Sequence, residues 1–351
     1  MRKDNTLTAQ KPLNLIGETL KAKDLKNTLS KLIKAKLPTF IWGSPGIGKS
    51  SIVKQIAKEQ GLEFIDLRLS LLDPTDLKGI PFFDSKNNEA VWAQPNFLPK
   101  EAQSQGILFL DEINTAPPSV QAAAYQLVLD RKVGDYELPS GWAIVAAGNS
   151  ESDRGVVYRM PPPLANRFVH LDMEVSFEDW KSWAYKNDIE PSIIAYLNYD
   201  NSKLFNFDSE AKQKAFATPR SWEYVDKILK SNLDATLSLE TISGTIGKEV
   251  AISFIAFRKV MKQLPNIDDI LEGKEVEFES SSQLLFALIA GIIAKLKQSG
   301  SDAVENAIKF SFKLPSEFSV MLIKDMQQNG IEVESSEAFE DWVEKFAYLL
   351  E

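Results

Sequence analysis

Residues Gly43 to Ser50 read Gly-Ser-Pro-Gly-Ile-Gly-Lys-Ser, a G-x-x-x-x-G-K-[ST] arrangement. Few stretches of this length restrict a fold so tightly. Gly43, Gly46 and Gly48 let the backbone turn sharply enough to aim successive N–H groups at one anion. The turn works best where a strand delivers it and a helix follows, because the helix N-terminus adds the positive end of its dipole. Both flanks are present: Thr39 to Trp42 is a short apolar run that suits a buried strand, and Ser51 to Gln60 carries helical spacing. The chain is therefore predicted to hold a strand–loop–helix unit of a parallel sheet, with Ser44, Pro45, Ile47 and Ser51 completing the loop. Within it Lys49 is placed for the β- and γ-phosphates of a nucleotide, and the Ser50 hydroxyl for magnesium.

The same alternation of types continues along the first half. Leu25, Leu29, Leu32 and Ile33 mark a one-sided helix over Lys21 to Lys36. Glu63–Leu67, Ile107–Leu110, Ala143–Ala147 and Phe168–Val175 read as strands, and Val120 to Leu129 as a helix. Strands alternating with helices imply parallel pairing through right-handed crossovers, hence a three-layer α/β domain over residues 1–175. Two insertions are expected to project from it. One, over about 72–98, pairs Ile80–Phe83 with Ala90–Ala93; the other, over about 132–142, is a shorter hairpin around Gly134 and Gly141. From Phe177 onward the apolar residues fall at helical spacing, so residues 176–351 are predicted to form a helical second domain with a helical C-terminal extension.

A second motif supplies acid groups. Ile107-Leu-Phe-Leu carries Asp111 and Glu112 to its end, which in such sheets is the edge where ligands bind. Asp111 is a candidate magnesium ligand and Glu112 a candidate general base for an attacking water. Taken with the phosphate loop, this pair predicts hydrolysis of a nucleoside triphosphate.

Composition removes other chemistries. The chain has 351 residues, no cysteine and a single histidine, His170. Disulfides, zinc–thiolate sites and thiol nucleophiles are excluded, a histidine metal site is disfavoured, and a reducing cytoplasm is the expected compartment. Forty basic against forty-nine acidic residues leave a formal charge of -9, which disfavours a phosphate backbone as partner. Met1 to Leu13 lacks the apolar centre of an export signal. The most apolar run, Leu284–Leu296, is well short of the roughly 20 residues that span a bilayer and reads as a buried helix.

With these motifs in this order, the chain resembles the AAA+ superfamily. Asn149 after the strand Ala143–Ala147 looks like the sensor-1 asparagine that orients the nucleophilic water. Pro163-Leu-Ala-Asn-Arg167-Phe168 is similar to the segment bearing the arginine finger, which reaches the γ-phosphate of the adjoining subunit; Arg154 and Arg159 compete with Arg167 for that role. Thr218-Pro-Arg220-Ser-Trp222 resembles the sensor-2 helix of the lid, with Arg220 touching phosphate. Asp73-Pro-Thr-Asp76-Leu-Lys-Gly79-Ile-Pro81 and the hairpin behind it look like the helix-2 insert of MoxR-type ATPases. The matching segments run from Leu15 to about Leu229, with weaker similarity to about Leu288.

This resemblance implies ATP and magnesium bound between the subunits of a hexameric ring. It further implies chaperone-like work on a protein client, commonly with a partner that carries a von Willebrand factor type A domain. Related helix-2-insert ATPases act on DNA, so a nucleic-acid motor or loader is the alternative reading, opposed by the net charge. A nucleotide-gated scaffold that hardly turns over is a third, opposed by the presence of Glu112, Asn149 and Arg167. Phe82, Phe83 and Trp92 on the insert are expected either to grip a client or to pack the hairpin onto its own domain.

Overall fold

The computed structural model describes residues 19–149, 158, 160–208, 213–231, 235–297 and 299–349. They fall into two compact units, one formed by most of the chain up to Glu174 and the other by the chain from Val175 onward together with Pro45–Gly48.

The first unit is built on five parallel strands: β1 (Thr39–Trp42), β2 (Glu63–Arg68), β5 (Gly106–Asp111), β8 (Trp142–Gly148) and β9 (Val169–Asp172). Their order across the sheet is β2-β5-β8-β1-β9. Burial follows this order. Every residue of β8 is buried, as are the first five of β5, because both lie between helices on two faces. β2 and β9 are the edges, and their residues are largely exposed or half-buried. Helices α1 (Ala22–Lys34), α2 (Lys49–Gln60) and α4 (Pro118–Asp130) flank the sheet. Leu108, Leu110, Ile144, Ala146 and Phe40 on one face share a core with Val120, Ala123, Ala124 and Leu127 of α4. The predicted strand at Phe168–Val175 proves shorter. Phe168 packs into that same core, and the strand begins only at Val169.

Between β2 and β5 the chain forms α3 (Pro74–Lys78) and a hairpin of β3 (Ile80–Asp84) and β4 (Glu89–Ala93). Its base demands a glycine: Gly79 has φ 88°, and a Cβ there would lie 2.0 Å from the Ala93 carbonyl oxygen. A second hairpin, β6 (Lys132–Val133) and β7 (Tyr136–Glu137), supports the first. The Asp135 carboxylate accepts from the Trp92 N–H at 3.3 Å, and its carbonyl accepts from Gln94 Nε2 at 3.2 Å. The aromatic residues of the insert divide accordingly. Trp92 is half-buried, whereas Phe82 and Phe83 stand 53% and 67% exposed, beside Ile80 at 64%.

The second unit contains helices α6 (Phe177–Lys186), α7 (Pro191–Tyr199), α8 (Pro219–Lys230), α9 (Ala235–Ile246), α10 (Lys248–Val260), α11 (Ile267–Leu271), α12 (Ser282–Leu296), α13 (Ser301–Ser311), α14 (Ser316–Gln328) and α15 (Glu337–Phe346). The apolar α12 is buried along most of its length in one core with Ile194, Trp222, Phe254, Ile308 and Trp342. The C-terminal helices therefore share the interior of this unit. An ion pair deep in it ties α6 to α14: Lys181 Nζ lies 2.8 Å from Asp325 Oδ1, and Tyr185 donates to Asp325 Oδ2 at 3.1 Å. Among the described residues, no helix is long and apolar enough to cross a membrane.

Candidate functional site

All five strands of the sheet run the same way, so the residues that leave their C-terminal ends collect along one edge. Gly43 follows β1, Ser70 follows β2, Glu112 follows β5 and Asn149 follows β8. The register aligns these exits: Arg68 pairs with Asp111, Leu110 with Ala146, and Trp42 with Gly148.

The loop after β1 has the shape its glycines predict. Gly43, Gly46 and Gly48 take φ values of 152°, 77° and 105°, and α2 begins at Lys49. Ile47 is buried, Ser44, Pro45, Gly46, Gly48 and Ser50 are half-buried, and Ser51 is exposed on the first turn of α2. Lys49 is buried at 8% exposure. Its ammonium donates to the carbonyls of Gly43 at 2.5 Å and Ser44 at 3.0 Å, and to Asn149 Oδ1 at 3.4 Å. A buried ammonium at the head of a glycine loop, reaching over its carbonyl oxygens, is suited to an incoming anion.

Asp111 ends β5, and Glu112 follows in the left-handed region at φ 58°, which a glutamate adopts only when its surroundings enforce it. The enforcement is visible. The Glu112 carbonyl accepts from the N–H groups of Thr115 and Ala116 at 3.1 and 3.2 Å and from the Thr115 hydroxyl at 3.0 Å. Asp111 Oδ1 accepts from the Glu112 N–H at 3.0 Å. The Glu112 side chain is directed towards β2, where Ser70 Oγ donates to its Oε2 and Arg68 Nε lies 3.9 Å from its Oε1.

Burial lifts the Asp111 carboxyl above its ordinary range. The Asp66 and Glu112 carboxylates push the same way, against the Lys49 ammonium and the Glu112 N–H. Loss of water likewise raises Asp66, although the Arg68 guanidinium and the Lys54 ammonium oppose the shift. A carboxylate in surplus beside a hydroxyl-bearing loop suits a hard divalent cation with oxygen ligands. Among the described residues no group of three or more His, Cys, Asp or Glu forms a cage for a metal.

Of the two expected arginines, Arg167 lies away from the loop, whereas Arg220 meets it through its main chain. Arg167 is exposed in the turn between α5 (Pro162–Ala165) and β9, before the N-terminal end of that strand and so at the opposite edge of the sheet from Lys49. Arg220 is exposed in the first turn of α8, and its main-chain N–H donates to the Gly46 carbonyl of the phosphate loop at 3.1 Å; Thr218 caps that helix, accepting from the Ser221 N–H at 3.0 Å. Arg154 and Arg159 lie outside the described residues. The single histidine is engaged structurally: Trp42 Nε1 donates to His170 Nδ1 at 2.9 Å, and its Nε2 lies 2.8 Å from the Ala165 carbonyl oxygen.

Asp66, Arg68, Ser70 and Asn114 join the site without having been expected there. The signal that finds the first three is the strand order: β2 borders β5, so its outgoing residues face Glu112.

A parallel sheet whose C-terminal edge carries a glycine loop with lysine and serine, next to a strand ending in Asp-Glu, defines a P-loop nucleoside-triphosphatase fold. Residues 39–170 match the family described as "ATPase family associated with various cellular activities (AAA)". That stretch of the chain is thus similar to the AAA family of ATPases, and a MoxR protein is among its relatives. The chain is 24% identical over 156 residues to Protein MoxR of Methylorubrum extorquens, a match covering 43% of each chain. It is also 24% identical over 179 residues to Midasin of Giardia intestinalis, covering 48% of this chain and 4% of that protein. The chain thus spans less than half the length of either relative. A solved structure of NtrX from Brucella abortus in complex with ADP is similar with a TM-score of 0.40 at 14% identity, covering 91% of this chain and 70% of that one.

Proposed function

We propose that this protein hydrolyses ATP with magnesium, as a ring of identical subunits, and uses the cycle to remodel or activate a protein client. The observation that carries the reading is the convergence of Lys49, Asn149, Asp111 and Glu112 on the exit edge of one parallel sheet.

Each residue then has a task. The main-chain N–H groups of the loop from Gly46 to Ser51 cradle the phosphates, and Lys49 exchanges its loop carbonyls for β- and γ-phosphate oxygens. Ser50 and Asp111 hold magnesium, which supplies neutralisation of the charge that builds on those oxygens. Glu112 takes a proton from the attacking water, and Asn149 orients that water. Arg167, set at the far edge of its own sheet, is available to the site of an adjoining subunit, so that turnover depends on assembly. Arg220 contacts phosphate within its own chain. The exposed Ile80, Phe82 and Phe83 of the insert are the surface offered to the client.

Hexamer stoichiometry, a partner bearing a von Willebrand factor type A domain and residence in the cytoplasm are the family-level parts of the proposal. Glu112→Gln tests its chemical centre. Turnover should fall by about 10²- to 10⁴-fold while ATP still binds, and capture of proteins retained by that ATP-bound variant identifies the client. Unchanged turnover removes Glu112 as the base. Strong stimulation of the wild-type ATPase by DNA redirects the reading to a nucleic-acid motor.

A further inference from the structure

Asn114 follows the carboxylate pair by two residues and is 1% exposed. Its Nδ2 donates to the main-chain carbonyl of Asn149 at 2.8 Å. That bond fixes which end of the amide is nitrogen, since only Nδ2 can donate to a carbonyl. The main-chain carbonyl of Asn114 accepts from the Tyr158 N–H at 2.7 Å. The other end of the side chain has no such employment: Asn114 Oδ1 is buried with no hydrogen-bond partner. It lies against the end of β8, where a Cβ on Gly148 would come within 2.4 Å of it, so β8 must end in glycine for the amide to fit.

A buried amide oxygen without a donor opposes folding, and a leucine of similar size would avoid that cost. What the asparagine has and leucine lacks is the Nδ2 donor, and the bond it makes ends on Asn149. The turn that carries Asn114 is also the turn that holds Glu112 in its left-handed conformation. Asn114 therefore links the carboxylate-bearing turn to the asparagine at the tip of the neighbouring strand. Asn149 is in turn the residue whose Oδ1 meets Lys49.

We infer that Asn114 is a positioning residue for ATP hydrolysis, holding Asn149 by its main chain so that its side chain stays in register with Glu112 and Lys49. The inference rests on the reading of Asn149 as the group that orients the water. It differs from a packing role in what it predicts for an apolar replacement of equal size. Packing alone makes Asn114→Leu harmless, whereas positioning makes it slow.

The test measures Asn114→Leu, Asn149→Ala and the double variant against the wild type, each by melting temperature, ATP binding and steady-state phosphate release in the full-length protein. Expected for Asn114→Leu are a melting temperature at or above that of the wild type, unchanged ATP affinity, and a kcat lower by about ten- to a hundredfold, the usual cost of losing a supporting hydrogen bond behind a catalytic group. The double variant should be no slower than Asn149→Ala, because the effect of Asn114 passes through Asn149. Wild-type kcat in Asn114→Leu, or a double variant slower by the product of the two single effects, overturns the inference. If Asn149→Ala itself turns over normally, the role given to Asn149 fails first and the inference falls with it; a slow Asn149→Ala beside a fast Asn114→Leu sinks the inference alone. Asn114→Ala serves as the second variant should leucine prevent folding, with the same kcat loss expected. Failure of both to fold assigns the amide to structure and overturns the proposal.

Discussion

Glu112 is directed towards β2 by Ser70, whose hydroxyl donates to Oε2, with Arg68 Nε more distant at 3.9 Å from Oε1. A carboxylate that must take a proton from water has to give up part of that bond. Ser70→Ala should therefore speed basal hydrolysis, and the size of the effect follows from the environment. A hydrogen bond to an ionised group contributes about 1.5–3 kcal/mol when shielded. The Glu112 side chain is 39% exposed, so water competes, and about 0.5–1 kcal/mol is the appropriate scale. Arg68, 53% exposed and beyond hydrogen-bonding distance, adds little. Removing 0.5–1 kcal/mol from the barrier corresponds to about a two- to fivefold rise in kcat. Phosphate release at saturating ATP and magnesium measures it, with ATP affinity expected to stay constant and Ser70→Thr, which keeps the hydroxyl, expected to match the wild type. A fall in kcat for Ser70→Ala at unchanged affinity would refute the reasoning, since Ser70 would then be holding the carboxylate where it acts.

Lys49→Ala should weaken ATP binding itself, by roughly tenfold or more for a lost charge-assisted contact, read by titration with a fluorescent analogue; retained affinity contradicts its role. Asp111→Asn should stabilise the nucleotide-free protein near pH 7 while abolishing turnover. The Asp111 pKa is raised in the fold, so the ionised carboxyl lowers stability progressively as pH climbs from its unfolded value of 3.8 through its folded value. The difference in melting temperature between variant and wild type should accordingly shrink as pH falls towards 3.8, and a constant difference across that range counts against it. Asp325→Ala leaves the buried Lys181 ammonium with only the exposed Glu178 carboxylate at 3.6 Å and should cost about 3–5 kcal/mol in urea unfolding; an effect below about 1 kcal/mol would mean that Glu178 or water takes over the charge. Gly79→Ala drives a methyl into the Ala93 carbonyl and should disorder the insert with little effect on ATP binding, a change that limited proteolysis reads directly.

Much of this was legible from local pattern. Thr39–Trp42 came out with the bounds read from its apolar run, because a short β-branched and aromatic segment between a helix and a glycine loop has few alternatives. Central strands were easy for a similar reason: β5 and β8 are covered on both faces and so appear as unbroken apolar runs. The end of β9 was harder, since Phe168 is apolar whether it belongs to the strand or turns into the core beside it. Asp66, Arg68 and Ser70 were invisible as site residues. Their membership depends on β2 lying next to β5, a long-range pairing that nothing within either segment specifies. Asn114 was missed although it lies two residues from Glu112, because a polar residue in a turn is ordinarily explained by the turn itself.

Those omissions share a physical origin. Motif residues such as Lys49 and Glu112 are tied to local backbone geometry, a glycine turn or a left-handed residue, and the sequence records such geometry one residue at a time. Residues that hold them in place act across strands, where the relevant neighbour is set by the order of the sheet and by how far each strand runs before it ends. Gly148 illustrates both kinds of constraint. As a glycine at the end of an apolar strand it looks like an ordinary breaker, yet its missing Cβ makes room for the Asn114 amide that holds Asn149. Arg167 is the converse: the direction of β9 sends it away from its own Lys49, and in the function proposed above it serves the phosphate of a second subunit. A ring assembled from such chains would couple each hydrolysis event to its neighbour through that one displaced arginine, and Arg167→Ala should then abolish turnover without loosening ATP from the subunit that carries the substitution.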